Sequence, residues 1–459
     1  MNRILSLFSL LFSLSLTAAE PPRPNILFLA IDDLRPELGC YGDTVVKSPH
    51  LDQLAQEGIL FERAYCQVAV CGASRASMMT GILPTATRYV DYLTTIDADT
   101  PGAITLAQHF QDHGYTTLAN GKILHTASDA SQRSWSRPVQ YPKISHQTHL
   151  DPASINSGDQ KGKKRFFESP EVEDTAYTDG LTAENTIADL RRLKKEGGPF
   201  FLGCGFIRPH LPFYAPKKYW DLYDEKTLPL APNRYRPKDY PRELNSSREF
   251  KTYDLAGFDP SSEAFHRKMR HGYFASTSYV DTLVGKVLAE LKDLGLDQNT
   301  IVVVWGDHGW HLGEHTFWGK HNTLHNATRV PLIVRVPGKP TGLRTQALVQ
   351  SVDLFPTLCA LAGLDTPPSV QGQSFAKLLE NPAASHHTAV YNRFKKADAL
   401  ITNRYSYSRF ESGAEMLFDL RKDPEENSNL ASDEKLHPTL LTLRQQLDAS
   451  IEKAESATW

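Results

Sequence analysis

The chain has 459 residues, a formal net charge of −3 and 40% hydrophobic residues. That length supports a sizeable buried core and suits one large α/β domain with an appendage, or two to three smaller domains. The near-neutral balance excludes a general nucleic-acid binder, which would be basic; the exception, Lys161-Gly162-Lys163-Lys164-Arg165, reads as a solvated loop or a contact for an anionic polymer.

Residues 1–19 read as a secretory signal peptide. Arg3 supplies the positive end, a Leu/Phe/Ser run the apolar part, and Thr17-Ala18-Ala19 the small-residue cleavage site. The run is short and interrupted by serine, and no later stretch is long and apolar enough to span a bilayer. The expectation is an exported protein, periplasmic or extracellular, with no membrane span. Lysosomal residence is the alternative, with sequons at Asn245-Ser246-Ser247 and Asn326-Ala327-Thr328. An oxidising compartment permits disulfides. The five cysteines are Cys40, Cys66, Cys71, Cys204 and Cys359, an odd number that leaves at least one unpaired. Cys204 and Cys359 lie in apolar runs as buried thiols. Pairing among the four other than Cys71 stays open.

The first structural element is NILFLAI (25–31), a buried strand by length and composition. SPHLDQLAQEG (48–58) is a helix with Ser48 as N-cap, Pro49 at its first position and Gly58 at its end. TTLANGK (116–122), PFFLGCGF (199–206), TIVVVWG (300–306) and VPLIVRV (330–336) are further strands, and residues 273–295 a long helix. Residues 128–180 and 221–265 are polar, dotted with proline and low in periodicity, so they read as surface insertions that shape a pocket. After a linker at 380–387 come four short strand candidates and an amphipathic helix, a small antiparallel sheet with a terminal helix. Strands alternating with helices imply an α/β fold with a large, mostly parallel sheet covered on both faces.

In such sheets ligands bind at the carboxyl ends of the strands. Here those ends carry chemistry: Asp32-Asp33 after the first strand, Lys122 and His125 after the second, Arg208-Pro209-His210 after the third, Asp307-His308 after the fourth. Adjacent carboxylates repel unless a cation or donors compensate; an Asx turn or helix cap is the plainer reading of Asp32-Asp33 alone. With Asp307 and His308 they suit a divalent cation. The oxygen-rich set favours Ca²⁺ or Mg²⁺, while the nitrogen keeps Mn²⁺ or Zn²⁺ open. Lys122, His125, His210 and Lys320 are candidates for anion binding and proton transfer.

Together the segments PNILFLAIDDLRPELGCYGD, AVCGASRASMMTG, HGYTTLANGKILH, FIRPHLPFYAPKKY, GDHGWHLGEHTFWGKH and RVPLIVRVPG resemble the type I sulfatases of the alkaline-phosphatase-like superfamily, most of all the iduronate-2-sulfatase-like branch. The resemblance implies a catalytic domain over residues 20–383 and a C-terminal subdomain over 384–459. It implies that a formylglycine-generating maturase oxidises Cys71 to an aldehyde, whose hydrate attacks the sulfur of a sulfate ester on a sulfated saccharide. It assigns Asp32, Asp33, Cys71, Asp307 and His308 to one Ca²⁺ ion per chain, ahead of Mg²⁺ or Mn²⁺. Arg75 would stabilise the hydrate, Lys122 and Lys320 clamp sulfate, His125 act as base, and His210 act as acid, shared with Lys320. Arg88 would face a uronate carboxylate and Trp310 stack on a sugar ring; Arg88 as a surface ion-pair partner and Trp310 as core below the site are the plainer readings. Many members carry proline two residues after the cysteine. This chain has Ala73, which maturases of the anaerobic radical type accept more readily than the aerobic enzyme. A phosphonate or phosphodiester hydrolase, or a glycan-binding protein with Cys71 unmodified, are the alternatives.

Overall fold

The computed structural model describes residues 23–151 and 163–459. The segment read as a signal peptide, and Lys161 and Gly162 of the basic cluster, lie outside the described residues. The cluster's remaining cations are engaged locally: Lys163 and Lys164 donate to the carbonyls of Lys251 and Gln147, and Arg165 faces Asp254 at 3.8 Å.

The central sheet has seven strands: β1 (Asn25–Ile31), β2 (Ile59–Phe61), β3 (Thr116–Gly121), β4 (Phe200–Phe206), β5 (Thr300–Gly306), β6 (Leu332–Arg335) and β7 (Leu343–Thr345). Their order is β7-β2-β6-β5-β1-β4-β3. The block β3-β4-β1-β5 is parallel throughout, whereas β6 runs antiparallel to β5 and β2. The sheet is therefore mixed, with its parallel half carrying all four chemically loaded strand ends. Every residue of β1, β4 and β5 is buried, as expected for strands covered on both faces.

The pleat divides the apolar side chains between two cores. Leu27, Leu29 and Ile31 join Val302 and Val304 on one face, while Ile26, Phe28 and Ala30 join Ile301, Val303 and Trp305 on the other. The first core is closed by α1 (Pro49–Glu57), α3 (Thr178–Glu196) and α4 (Glu263–Asp293), the second by α2 (Cys71–Thr80) and α5 (Leu354–Ala362).

Two helix readings change. In α1 the Ser48 side chain does not cap; it accepts from Gly39 N, and Asp281 on α4 takes the His50 and Leu51 N–H groups instead. Helix α4 begins ten residues earlier than the apolar periodicity indicated, because Ser262 accepts from Phe265 N and nucleates a polar first part. The C-terminal strands β8 (Ala389–Phe394), β9 (Ala397–Thr402), β10 (Tyr405–Phe410) and β11 (Glu415–Asp419) form an antiparallel meander. Helix α6 (His437–Glu455) packs Leu440, Leu443 and Leu447 on it. All five cysteines are free and buried. Among the described residues no helix is long and apolar enough to cross a membrane.

Candidate active site

Four strand ends and one helix start converge. At the end of β1, Asp32 continues the ladder by donating its N–H to Phe206 O, and Asp33 turns into the left-handed region at φ 58°. That conformation is uncommon outside glycine but tolerated by aspartate; here the Asp33 N–H is held by Asp307 Oδ1 at 3.1 Å. At the end of β3, Gly121 also has positive φ (69°), and a Cβ there would lie 2.2 Å from Gly205 O. Only glycine lets the chain pass this close to β4 and swing Lys122 inward. The Lys122 ammonium meets Asp32.

Cys71 is the first residue of α2, a helix whose every residue is buried. A Cβ on Gly72 would lie 2.4 Å from Tyr92 O, so glycine allows the helix start to seat against the 91–92 backbone. The N-terminus of α2 presents partial positive charge to whatever occupies position 71. One turn on, Arg75 is fully buried; its Nε donates to Asp307 Oδ2 at 2.8 Å, a terminal nitrogen to the carbonyls of Lys122 and Ile123, and it faces Asp32 Oδ1 at 3.7 Å. Arg75 therefore ties α2 to β1, β3 and β5 at once.

Asp32, Cys71, Asp307 and His308 each place a ligand atom within 4.8 Å of the others. Of the five expected ligands, Asp33 stands at the rim, with Oδ1 on the Lys320 ammonium at 2.7 Å. His308 donates through Nδ1 to Gly309 O at 3.1 Å, which leaves Nε2 as a lone-pair donor. Nε2 of His308, Oδ1 of Asp32 and Oδ2 of Asp33 are buried without hydrogen-bond partners. Unpartnered buried donors of this kind are costly unless a ligand completes them, so the residue set fits a divalent cation.

Four carboxylates (Asp32, Asp33, Asp307, Glu249) face three permanent cations (Arg75, Lys122, Lys320). A divalent ion would leave the cluster one unit positive and ready for a monoanionic sulfate ester. Burial pushes Asp32 up, but Lys122, His210 and Arg75 hold its carboxyl well below the ordinary range. Burial drives Asp307 up to about 7 against the pull of Arg75.

His125 Nδ1 lies 3.2 Å from Cys71 Sγ, and burial followed by Lys122 pushes the ring down to about 4. His210, held after β4, donates through Nδ1 to Leu211 O at 2.6 Å and turns Nε2 toward Glu249 Oε1 at 3.3 Å and Asp33 Oδ2 at 3.9 Å. Burial pushes His210 down, and Glu249 opposes it. Glu249 is held down at about 2 because His210 and Lys320 outweigh its burial.

The expected catalytic group of Cys71, Arg75, Lys122, His125, His210 and Lys320 thus comes together. Two substrate-contact expectations fail. Arg88 donates to Leu83 O and Ala454 O, with its guanidinium 5.3 Å from the Trp459 ring centroid; it locks the end of α6 to the segment after α2. Trp310 is 1% exposed and stacks on Tyr273, so it is core below the site. Glu249 and His146, whose ring meets His210 edge-on, were missed. Both sit in the polar insertions, where nothing but the low periodicity marked a pocket.

Comparison with known proteins agrees with this geometry. A family model described as Sulfatase matches residues 24–364, and one described as N-sulphoglucosamine sulphohydrolase, C-terminal, matches 313–453. The chain is 36% identical over 392 residues to iduronate 2-sulfatase of Mus musculus, covering 76% of this chain and 71% of that protein. It is 30% identical over 454 residues to an ulvan-active sulfatase of Formosa agariphila, covering 95% and 81%. A solved 2-O GAG sulfatase structure superposes with a TM-score of 0.72 at 25% identity, covering 95% of this chain and 93% of that one.

Proposed function

The chain belongs to the sulfatase family, and from that premise we propose that it removes a 2-O-sulfate from a uronate of a sulfated glycan, using a formylglycine made from Cys71. The general activity, hydrolysis of sulfate esters of sulfated glycans, rests on the same family membership and site. The observation that carries it is the gathering of Asp32, Cys71, Asp307 and His308 at the start of α2 with Arg75 beneath them. The 2-O-uronate assignment is supported by the relatives named iduronate 2-sulfatase and 2-O GAG sulfatase.

Asp32, Asp307, His308 and residue 71, with Asp33 at the rim, would hold the cation, and the carboxylate-rich set favours Ca²⁺ over Mg²⁺ or Mn²⁺. When bound it would polarise a sulfate oxygen and acidify a hydroxyl at position 71. The thiol of Cys71 marks where the oxygens of the hydrated aldehyde would stand. One hydroxyl would bond to sulfur and give its proton to a neighbouring carboxylate such as Asp307, while the bond from sulfur to the sugar oxygen breaks, so that an SO₃ group is transferred and the sugar departs as its alcohol. His125, in contact with position 71, takes the proton of the other hydroxyl, and sulfate leaves as the aldehyde reforms. Arg75 orients the hydrate through the α2 start. Lys320 and Lys122 offer charge to the sulfate oxygens. His210 protonates the departing sugar oxygen, positioned by Glu249. The reading extends to residues 20–383 as the catalytic domain, 384–459 as a C-terminal subdomain, maturation by an enzyme that accepts Ala73, and export to the periplasm or cell exterior.

The test is sulfate release by the matured protein from disaccharides sulfated at uronate O2, at glucosamine O6 or at the glucosamine nitrogen, with an aryl phosphodiester alongside. Release from the 2-O-sulfated compound at least tenfold faster than from the others is expected. Faster turnover of a glucosamine sulfate or the phosphodiester refutes the assignment. The mass of the peptide holding residue 71 must show the aldehyde or its hydrate.

A further inference from the structure

A second cluster of ligating side chains lies away from the catalytic crevice. Asp353, at the start of α5, and His386 and His387, in the linker that leads into β8, place their ligand atoms within 4.8 Å of one another. The Asp353 side chain is fully buried, and those of His386 and His387 are 5% and 12% exposed. The Asp353 oxygens accept from Gln373 N and Gln350 N, each at 2.8 Å. Among the described residues its ion-pair partners are the two imidazoles alone, with no lysine or arginine.

The hydrogen bonding at this point does not close. His386 Nε2 is buried with no hydrogen-bond partner, although it sits 3.4 Å from Asp353 Oδ2. His387 Nε2 faces that same oxygen at 2.8 Å and the Gln350 amide nitrogen at 3.2 Å. The Gln350 amide is oriented by its Oε1, which accepts from Gln67 Nε2 and Tyr391 N, so its NH₂ points at His387. A ring nitrogen cannot both donate to the carboxylate and accept from the amide. A cation between one carboxylate oxygen and two imidazole lone pairs would give the orphaned His386 nitrogen a partner.

We propose that Asp353, His386 and His387 form a second metal site, one that takes a zinc-class divalent ion. Two nitrogens and one oxygen are a donor set for Zn²⁺ rather than Ca²⁺. In a tetrahedral site with bonds of 2.0–2.1 Å, ligand atoms stand about 3.3 Å apart. The His386–Asp353 distance of 3.4 Å already matches, and the His387–Asp353 distance of 2.8 Å needs to widen by about half an ångström. The imidazoles border a surface cavity of about 700 Å³ that also takes in Leu348, Asn381 and Asn403, from which water supplies the fourth ligand. Arg344 on its wall is paired with Glu62. The ion would clip the linker to α5 and so fix where the C-terminal meander starts. It is a structural closure, independent of the sulfatase chemistry.

The test uses the full-length protein saturated with calcium, dialysed against buffered Zn²⁺, with both metals counted by mass spectrometry. One zinc retained with calcium content unchanged is expected, together with a higher melting temperature in zinc. His386→Gln and His387→Gln, made separately, should each weaken zinc binding by at least ~10-fold, the lower bound for disturbing even an outer partner of a ligand, and leave calcium content and turnover as in the parent. Co²⁺ in place of Zn²⁺ should give the strong visible absorption of four-coordinate geometry, absent in both variants. No zinc bound, zinc gained only as calcium is lost, or zinc undiminished in both variants overturns the proposal. If one variant fails to fold, the other and the parent stoichiometry still decide.

Discussion

Replacing Glu249 by glutamine isolates the leaving-group half of the reaction. The carboxylate lies 3.3 Å from His210 Nε2 and 3.5 Å from Lys320 Nζ. At an effective dielectric of about 20, a unit-charge pair at that separation is worth about 5 kcal/mol. The Glu249 side chain is 26% exposed, so screening brings the usable part to about 2 kcal/mol, or roughly 30-fold in rate. Glutamine keeps the shape and an acceptor but not the charge that supports a protonated His210. The loss should depend on the leaving group, because general acid assistance matters for an alkoxide and little for an acidic phenol. The assay is kcat on a sulfated sugar and on a nitrophenyl sulfate, in parent and variant. The expected outcome is a fall of about 30-fold on the sugar and under about threefold on the aryl ester. Equal falls on both, or none on the sugar, would refute Glu249 as the residue that positions the acid.

Three further outcomes follow from buried charges. Arg75→Ala removes the guanidinium from Asp307 and strands that buried carboxylate, while Asp32 keeps Lys122; destabilisation of about 3–5 kcal/mol is expected in a denaturant titration, and a change below about 1 kcal/mol would contradict the pairing. Glu426 is buried, with Oε2 accepting from His325 N and Oε1 unpartnered, and burial raises it from 4.5 to about 7. Because its folded pKa is raised, the stability linked to its proton is full below about pH 4.5 and lost as pH rises through about 7. Glu426→Gln should therefore match the parent near pH 4.5 and exceed it at pH 8 by about 3 kcal/mol, or about 3 °C in melting temperature; equal melting at pH 8 would refute the shift. Arg88→Ala loses the bonds to Leu83 O and Ala454 O; it should cost about 2 kcal/mol of stability while KM for the sulfated disaccharide stays within about twofold, and a tenfold rise in KM would return Arg88 to the substrate.

Local pattern carried much of this protein. The apolar runs NILFLAI and TIVVVWG coincide with β1 and β5 residue for residue, because a strand buried on both faces needs an unbroken run and its polar successor marks where the sheet stops. The same logic placed Asp32, Lys122, His210 and Asp307 at neighbouring strand ends, and Cys71 followed from motif likeness. Tertiary structure decided the rest. Whether β6 ran with or against β5 depended on how the 307–331 segment returns across the crevice, not on the composition of the strand. Trp310 and Arg88 look available in the linear chain, yet Tyr273 and the carbonyl of Ala454 claim them from distant elements. Glu249 and the Asp353-His386-His387 cluster carry no periodic signal, since their partners come from 33 to 39 residues away on separate elements; for Glu249 the partner is His210, and for Asp353 it is a linker. Periodicity reports which face of an element avoids water. Which charge meets which is set by packing, where burial makes an unpaired group too costly to leave unmatched.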